Sequence, residues 1–209
     1  MNTINTEVPA FFIGEVAIKR LEIAKIGFVA FCEVGDIAAD GESDQKKVTN
    51  RIFRERIKRQ VTAYDASNNA IKFDDAAAYG IPLKHAMAIK TALSQSDANE
   101  PIEGKPSTCK MLHKGDGMLT PIHISLGSPI KTGSEDKVIR ELEFTARNLG
   151  DLEDFVSADT SLERAVALIR VAAPVGPNLT ITVLPTWAID QISLEDGVWI
   201  MQNVVPSFL

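Results

Sequence analysis

Histidine, cysteine and tryptophan are scarce in this chain: three, two and two in 209 residues. Nucleophilic catalysis and zinc binding draw on the first two of these side chains, so both have little to work with. Cys32 and Cys109 stand alone, which excludes a disulfide framework in a chain of this length and reads as two buried, reduced thiols. Aromatic residues make up only 6%, so aliphatic side chains must build most of the core. Long apolar runs are missing too. None approaches the ~20 residues of a membrane span, and Phe28-Val-Ala-Phe-Cys32 ends at Glu33. The N-terminus lacks the basic and apolar regions of a signal peptide, so the protein is expected to stay in the compartment where it is made. An excess of positive charge is also absent. The net charge of −6 and pI of about 5.1 argue against nucleic-acid binding, whose affinity comes from neutralised phosphates. That balance suits a protein that approaches a basic or apolar partner.

What remains is ordinary globular material, 45% apolar and 24% charged, enough for one domain or two small ones. Residues 1–10 read as a polar arm. A strand is expected over Ala17–Ala24 between Gly14 and Gly27, then a helix over Phe28–Ala39. Lys46–Gln60 is an amphipathic helix with Val48, Ile52, Phe53 and Ile57 on one stripe. Its other face carries Arg51, Arg54, Lys58 and Arg59, either a docking surface for an acidic partner or a solvated helix face. Residues 60–65 and 70–73 flank the Asn-rich segment 66–69 as a hairpin. Asp74 opens a helical stretch interrupted at Gly80-Ile-Pro82, and a second helix runs over Leu83–Ser94.

Residues 95–107, rich in Pro, Gly and charge, read as a linker between a unit at 1–94 and another at 108–209. Cys109–His113 and Met118–Leu126 form a second hairpin around Lys114-Gly-Asp-Gly117. Gly127-Ser-Pro-Ile130 marks the next turn, and Val138–Ala146 is a third strand. A helix follows over Leu149–Val156. Another over Leu162–Ala173 is announced by the capping-box spacing Thr160-Ser-Leu-Glu163 and is stopped by Pro174-Val-Gly-Pro177. Ser193-Leu-Glu-Asp196 caps a last helix, with Leu194, Val198, Met201 and Val204 or Val205 on one side. The expected class is α+β: short antiparallel hairpins with several short helices.

The two halves echo each other. Ile18-Lys-Arg-Leu-Glu-Ile23 matches Ile139-Arg-Glu-Leu-Glu-Phe144. Ile81-Pro-Leu-Lys-His-Ala-Met-Ala-Ile89 matches Ile192-Ser-Leu-Glu-Asp-Gly-Val-Trp-Ile200. Either amphipathic segments merely look alike, or two related units stand in tandem.

Chemistry is harder to find. Cys109-x-x-x-His113, with Asp116 and His123, gathers potential zinc ligands near one hairpin, but a second closely spaced ligand pair is missing. His85 lies on a helix with no nucleophile elbow to serve. Gly115-Asp-Gly117 is a turn, with no phosphate-loop pattern after it. The acids of Asp151-Leu-Glu-Asp154 and Glu195-Asp196 are explained by helix N-termini. No catalytic constellation is assembled, so no enzyme, cofactor or metal is expected. Trp199, on the last helix, serves either the core edge or a contact with a partner.

The last third carries a further pattern. It opens Pro129-Ile-Lys-Thr-Gly-Ser-Glu135 and runs into Val138-Ile-Arg-Glu-Leu-Glu-Phe-Thr-Ala-Arg147. Then come Asn148-Leu-Gly-Asp-Leu-Glu-Asp-Phe155, Ile189-Asp-Gln-Ile-Ser-Leu-Glu-Asp196 and a terminal Pro-Ser-Phe-Leu. In these residues the chain resembles the small tail assembly chaperones of Mu-like and P2-like tailed phages. The first half departs from that pattern, since it lacks the Pro-Ile-x-x-Gly strand. The resemblance implies a non-enzymatic protein of the host cell cytoplasm. Such a protein binds the tape measure protein, or another phage tail protein, and keeps it soluble before the tail tube polymerises. Self-association into a homo-oligomer is compatible with it, and neither nucleic acid nor a membrane is an expected partner. The expected contact residues are Trp199, Met201, Val205, Phe208 and Leu209. The alternative is a structural tail or baseplate component retained in the virion, joined through exposed edges of the hairpins at 60–73 and 109–126.

Overall fold

The computed structural model describes residues 3–98, 107–117, 119–132, 138–146, 149–176 and 182–209. The fold is α+β, with two four-stranded antiparallel sheets, one in each of two compact units. Unit 1 comprises Met1–Ile26 and Glu33–Ala98, and unit 2 comprises Gly27–Cys32 and Asn99–Leu209. Most of the expected linker, 99–106, lies outside the described residues. At its start, helix continues to Asp97.

In unit 1, β1 (Thr3–Ile13) pairs with β2 (Val16–Ala24), β2 with β3 (Val61–Tyr64), and β3 with β4 (Ala70–Lys72). Residues 3–10 are therefore strand, where the sequence suggests an arm. An edge strand needs little apolar periodicity, and its ladder to β2 supplies the order. Between β2 and β3 run α1 (Phe28–Ala39), whose first residues belong to unit 2, and α2 (Gln45–Gln60). The Asp44 side chain caps α2 by accepting from the Lys46 amide. After β4 come α3 (Asp75–Tyr79) and α4 (Leu83–Asp97), with α4 packed on β1 and β2. Phe11, Ile18, Leu21, Ile23, Ile57, Val61, Phe73, Ile89 and Leu93 form the buried core.

In unit 2, β5 (Lys110–His113), β6 (Ile122–Lys131), β7 (Val138–Phe144) and β8 (Ala173–Val175) follow in sheet order. Gly127–Pro129 lie inside β6 as an irregularity rather than in a turn, because turn-forming residues also mark β-bulges. Pro174 likewise sits in a strand, opposite Leu142, on a sheet edge that tolerates a missing N–H. A 3-10 turn (Leu149–Leu152), α5 (Glu153–Ser157) and α6 (Ser161–Val171) connect β7 to β8. The capping box on α6 forms as expected: Thr160 accepts from the Glu163 amide, and Glu163 accepts from the Thr160 amide. α7 (Thr186–Ile189), α8 (Leu194–Asn203) and a 3-10 turn (Val205–Phe208) close the chain.

The order strand, strand, helices, strand, helices thus occurs twice, and the correspondence reaches individual residues. Setting Ile18–Ile23 of β2 on Ile139–Phe144 of β7 superposes the pairings on both sides. Leu21 faces Ala63 where Leu142 faces Pro174, and Ile18 faces Phe11 where Ile139 faces Ile130. Both strands bury their first, fourth and sixth matched residues: Ile18, Leu21, Ile23 and Ile139, Leu142, Phe144. Alternation breaks at the same place in each because the partner strand bulges there. Val8, Pro9 and Ala10 stand opposite Lys19 alone, and Leu126 through Pro129 stand opposite Arg140 alone. The units differ in the fourth strand, which β4 adds beyond β3 in one and β5 adds beside β6 in the other.

Candidate interaction surfaces

The helix after the third matched strand is the natural place to look for a contact surface, and in unit 2 that helix is α8. Ser193 caps it by accepting from the Asp196 amide at 3.1 Å. Its deepest line is Asp196, Gly197, Ile200 and then Val204, whereas Leu194, Val198 and Met201 are only half-buried. The apolar side read from the sequence is therefore rotated from the one that faces the core.

Asp196 explains the rotation. It is fully buried, and its two carboxylate oxygens accept from the Gly127 and Ser128 amides of the β6 bulge at 3.0 and 2.9 Å. Local spacing alone explains it as an acid near a helix N-terminus. In the fold it also satisfies two amides that the bulge removes from the ladder. Cys109 is buried close by, and burial, with the Asp196 charge second, pushes its thiol far above the ordinary value. A thiol raised in this way stays protonated, and the thiolate is the form that attacks or binds a metal.

The five expected contact residues separate into three groups. Val205 and Phe208 are core residues, and the Phe208 ring meets that of Phe155 at 5.8 Å. Trp199 and Met201 are half-buried and pack against the same core. Leu209 is exposed. A partner therefore has direct access to Leu209 and to part of Trp199 and Met201, while Val205 and Phe208 set the position of the others.

The remaining hairpin residues take structural roles. His123 meets Glu143 across the strand pair at 2.9 Å, and the rings of His113 and His123 are 6.2 Å apart. The Asp116 carboxylate accepts from the Leu119 and Thr120 amides and so shapes the turn. Among the described residues, no three His, Cys, Asp or Glu side chains are grouped to hold a metal ion.

The basic face of α2 is engaged within unit 1. Arg51 donates to the carbonyls of Asp40 and Ile37 at 3.1 and 3.4 Å. Arg59 reaches Glu33 at 3.2 Å. Lys58 lies 2.8 Å from Asp75 and 2.6 Å from Glu55; these two bonds hold its ammonium above the ordinary pKa, and Lys58 holds Asp75 below its own. Arg56, next to this face, forks onto both oxygens of Asp97 at 2.6 and 3.1 Å. Burial nonetheless wins at Asp97 and raises its carboxyl, against the pull of Arg56. The Arg54 guanidinium lies 5.3 Å from the Tyr79 ring centre. Arg51, Arg54, Asp75 and Tyr79 line an open groove between α2 and α3.

One surface escaped the sequence reading. Tyr79, Leu83 and Met87 are all well exposed on α3 and α4. The available signal was the four-residue step from Leu83 to Met87, off the stripe Ile89, Leu93, Ser96 that the helix buries. No helix among the described residues is long and apolar enough to cross a membrane. Comparison with protein-family models, curated proteins and solved structures gave no match.

Proposed function

We propose that the chain is a non-enzymatic assembly chaperone of a tailed phage, which binds the tape measure protein in the host cytoplasm and keeps it soluble while the tail tube forms. The observation that carries this reading is the run from Pro129 to Leu209. Its family-like residues fall on successive elements of one compact unit: Ile130 on β6, Leu142 and Phe144 on β7, Leu149 to Phe155 on the following turns, and Ile189 to Asp196 on the step from α7 to α8. The net charge of −6 fits the role, since a charged carrier keeps a complex with an apolar helix in solution. Trp199, Met201 and Leu209 form the accessible part of the contact surface on this unit.

Co-expression with the tape measure protein encoded nearest to this chain, followed by capture on a tag, tests the proposal. A soluble stoichiometric complex is expected. A tape measure protein left insoluble overturns it. Abundant peptides of this chain in purified virions then favour the retained tail or baseplate component. That alternative leans on β4 and β5 as pairing edges, and these strands span only three and four residues, which is a short ladder to extend.

A further inference from the structure

We propose that the exposed face of α4 in unit 1 docks an amphipathic helix of a partner protein, one whose apolar stripe is bordered by carboxylates. The inference rests on the protein-binding reading above and names a second surface for it. It comes from comparing α4 with α8, which begin at matched positions. Pro82 and Ser193 are the N-cap residues, and Leu83 and Leu194 open the helices. Further along, Ile89 matches Ile200 and Leu93 matches Val204, all four buried in their own cores.

The outer positions do not agree. Leu194 and Val198 are half-buried, whereas their counterparts Leu83 and Met87 are 77% and 64% exposed. In unit 2 the start of the helix is covered. The Phe28 amide donates to the Ile192 carbonyl at 2.8 Å, and Gly27 bridges to Ser193. The Phe28 ring lies where a Cβ on Gly197 would sit. A short apolar helical segment from far upstream therefore covers α8 at Gly197, next to Leu194 and Val198 on the helix. In unit 1 the residue matching Gly197 is Ala86, and it remains half-exposed beside Leu83 and Met87. The internal repeat thus indicates the kind of occupant that this surface takes: an apolar helix.

Charge selects among such helices. Lys84 and Lys90 flank the stripe and are exposed. The only acid on α4 is Asp97, at the far end, and Arg56 engages it. Around Tyr79 the charge is mixed, with Arg54 beside Glu55 and Asp75 in one groove, so the positive border is the one that Lys84 and Lys90 make. A second copy of α4 laid on the first would bring these lysines together, which opposes self-pairing. An occupant bordered by glutamate or aspartate meets them favourably.

Two synthetic amphipathic helices serve as probes, both with a leucine stripe, one bordered by glutamates and the other by lysines. Fluorescence anisotropy with the full chain reads their binding. The wild type is expected to prefer the glutamate-bordered helix. Leu83→Asp with Met87→Asp is expected to weaken that binding by about tenfold or more. Lys84→Glu with Lys90→Glu is expected to reverse the preference. All four residues are exposed, so the variants should keep the wild-type circular dichroism. Absence of binding by the wild type, or equal binding by the Leu83 and Met87 variant, overturns the proposal. A change of sedimentation in that variant also overturns it, by identifying a second copy as the occupant. Capturing the tape measure protein with the same variant separates the two readings. Capture equal to wild type leaves the chaperone function standing and removes this surface from it. Probe binding that depends on Leu83 and Met87, without any capture, does the reverse.

Discussion

The two units share a strand frame down to the position of a bulge, yet they handle the buried end of that bulge differently. In unit 2 the carboxylate of Asp196, on α8, accepts from two bulge amides. The matching residue in unit 1, His85 on α4, instead places its ring 4.8 Å from that of Phe11, which closes the bulge of β1. Charged hydrogen bonding in one unit thus stands where ring packing stands in the other. The frame tolerates the exchange because β2 and β7 bury the same three positions and leave the bulge to the following helix. The second difference is at Gly197 of α8, which Phe28 covers, whereas the matching Ala86 of α4 is half-exposed.

Removing the cover should have the largest effect. Phe28→Ala deletes a fully buried ring and is expected to cost unit 2 about 3–5 kcal/mol. Hydrogen exchange should report lost protection in β6 and β7 with β2 and β3 retained; equal loss in both units would end the comparison. Next comes the bulge. Asp196→Ala leaves the Gly127 and Ser128 amides without their acceptor and should cost about 2–4 kcal/mol. His85→Ala should cost unit 1 only about 1 kcal/mol, the scale of one lost ring contact. Denaturant unfolding of the two variants checks the ratio, and a costlier His85→Ala would reverse the reading of the bulges.

The smallest effects are expected in acid. Asp75 in unit 1 and Glu163 in unit 2 have depressed carboxyls, the first through Lys58 and the second through the Thr160 and Asp159 amides. Their stabilisation is present above the unfolded pKa, ~3.9 for Asp and ~4.3 for Glu. It is lost as pH falls through the folded values. Asp97 has the opposite sign. Burial raises it, so its contribution is present below ~3.9 and is lost as pH rises through the folded value. Carboxyl NMR should show Asp75 and Glu163 titrating below the ordinary range and Asp97 above it. A normal Asp97 would mean that Arg56 outweighs burial.

Much of this architecture was legible in the residues. The hairpin around 66–69, the helix over 28–39, the capping box at Thr160 and the echo between the halves all depend on local spacing, which the sequence displays directly. β1 was not legible, because an edge strand draws its order from a neighbour and needs no apolar period of its own. The β6 bulge reads as a turn in the sequence, since Gly, Ser and Pro serve both. Asp196 was hidden for a similar reason: an acid in a first helical turn has a sufficient local explanation, and its partners lie 68 and 69 residues away. Val205 and Phe208 looked like contact residues because a terminal apolar pair carries no sign of the core that receives it.

Gly27–Cys32 also has a consequence in time. This segment leaves the ribosome long before the helix it caps. At synthesis rates of roughly 5–20 residues per second, the interval between Phe28 and Gly197 is on the order of ten to thirty seconds. Unit 1 has every one of its own strands by then, so it can fold first. Throughout that wait, Phe28 and Val29 stand without the core they later join, an apolar turn open to any nascent neighbour. Translation thus has a vulnerable window, and cutting the gene after Ala98, where unit 1 ends, would make it permanent.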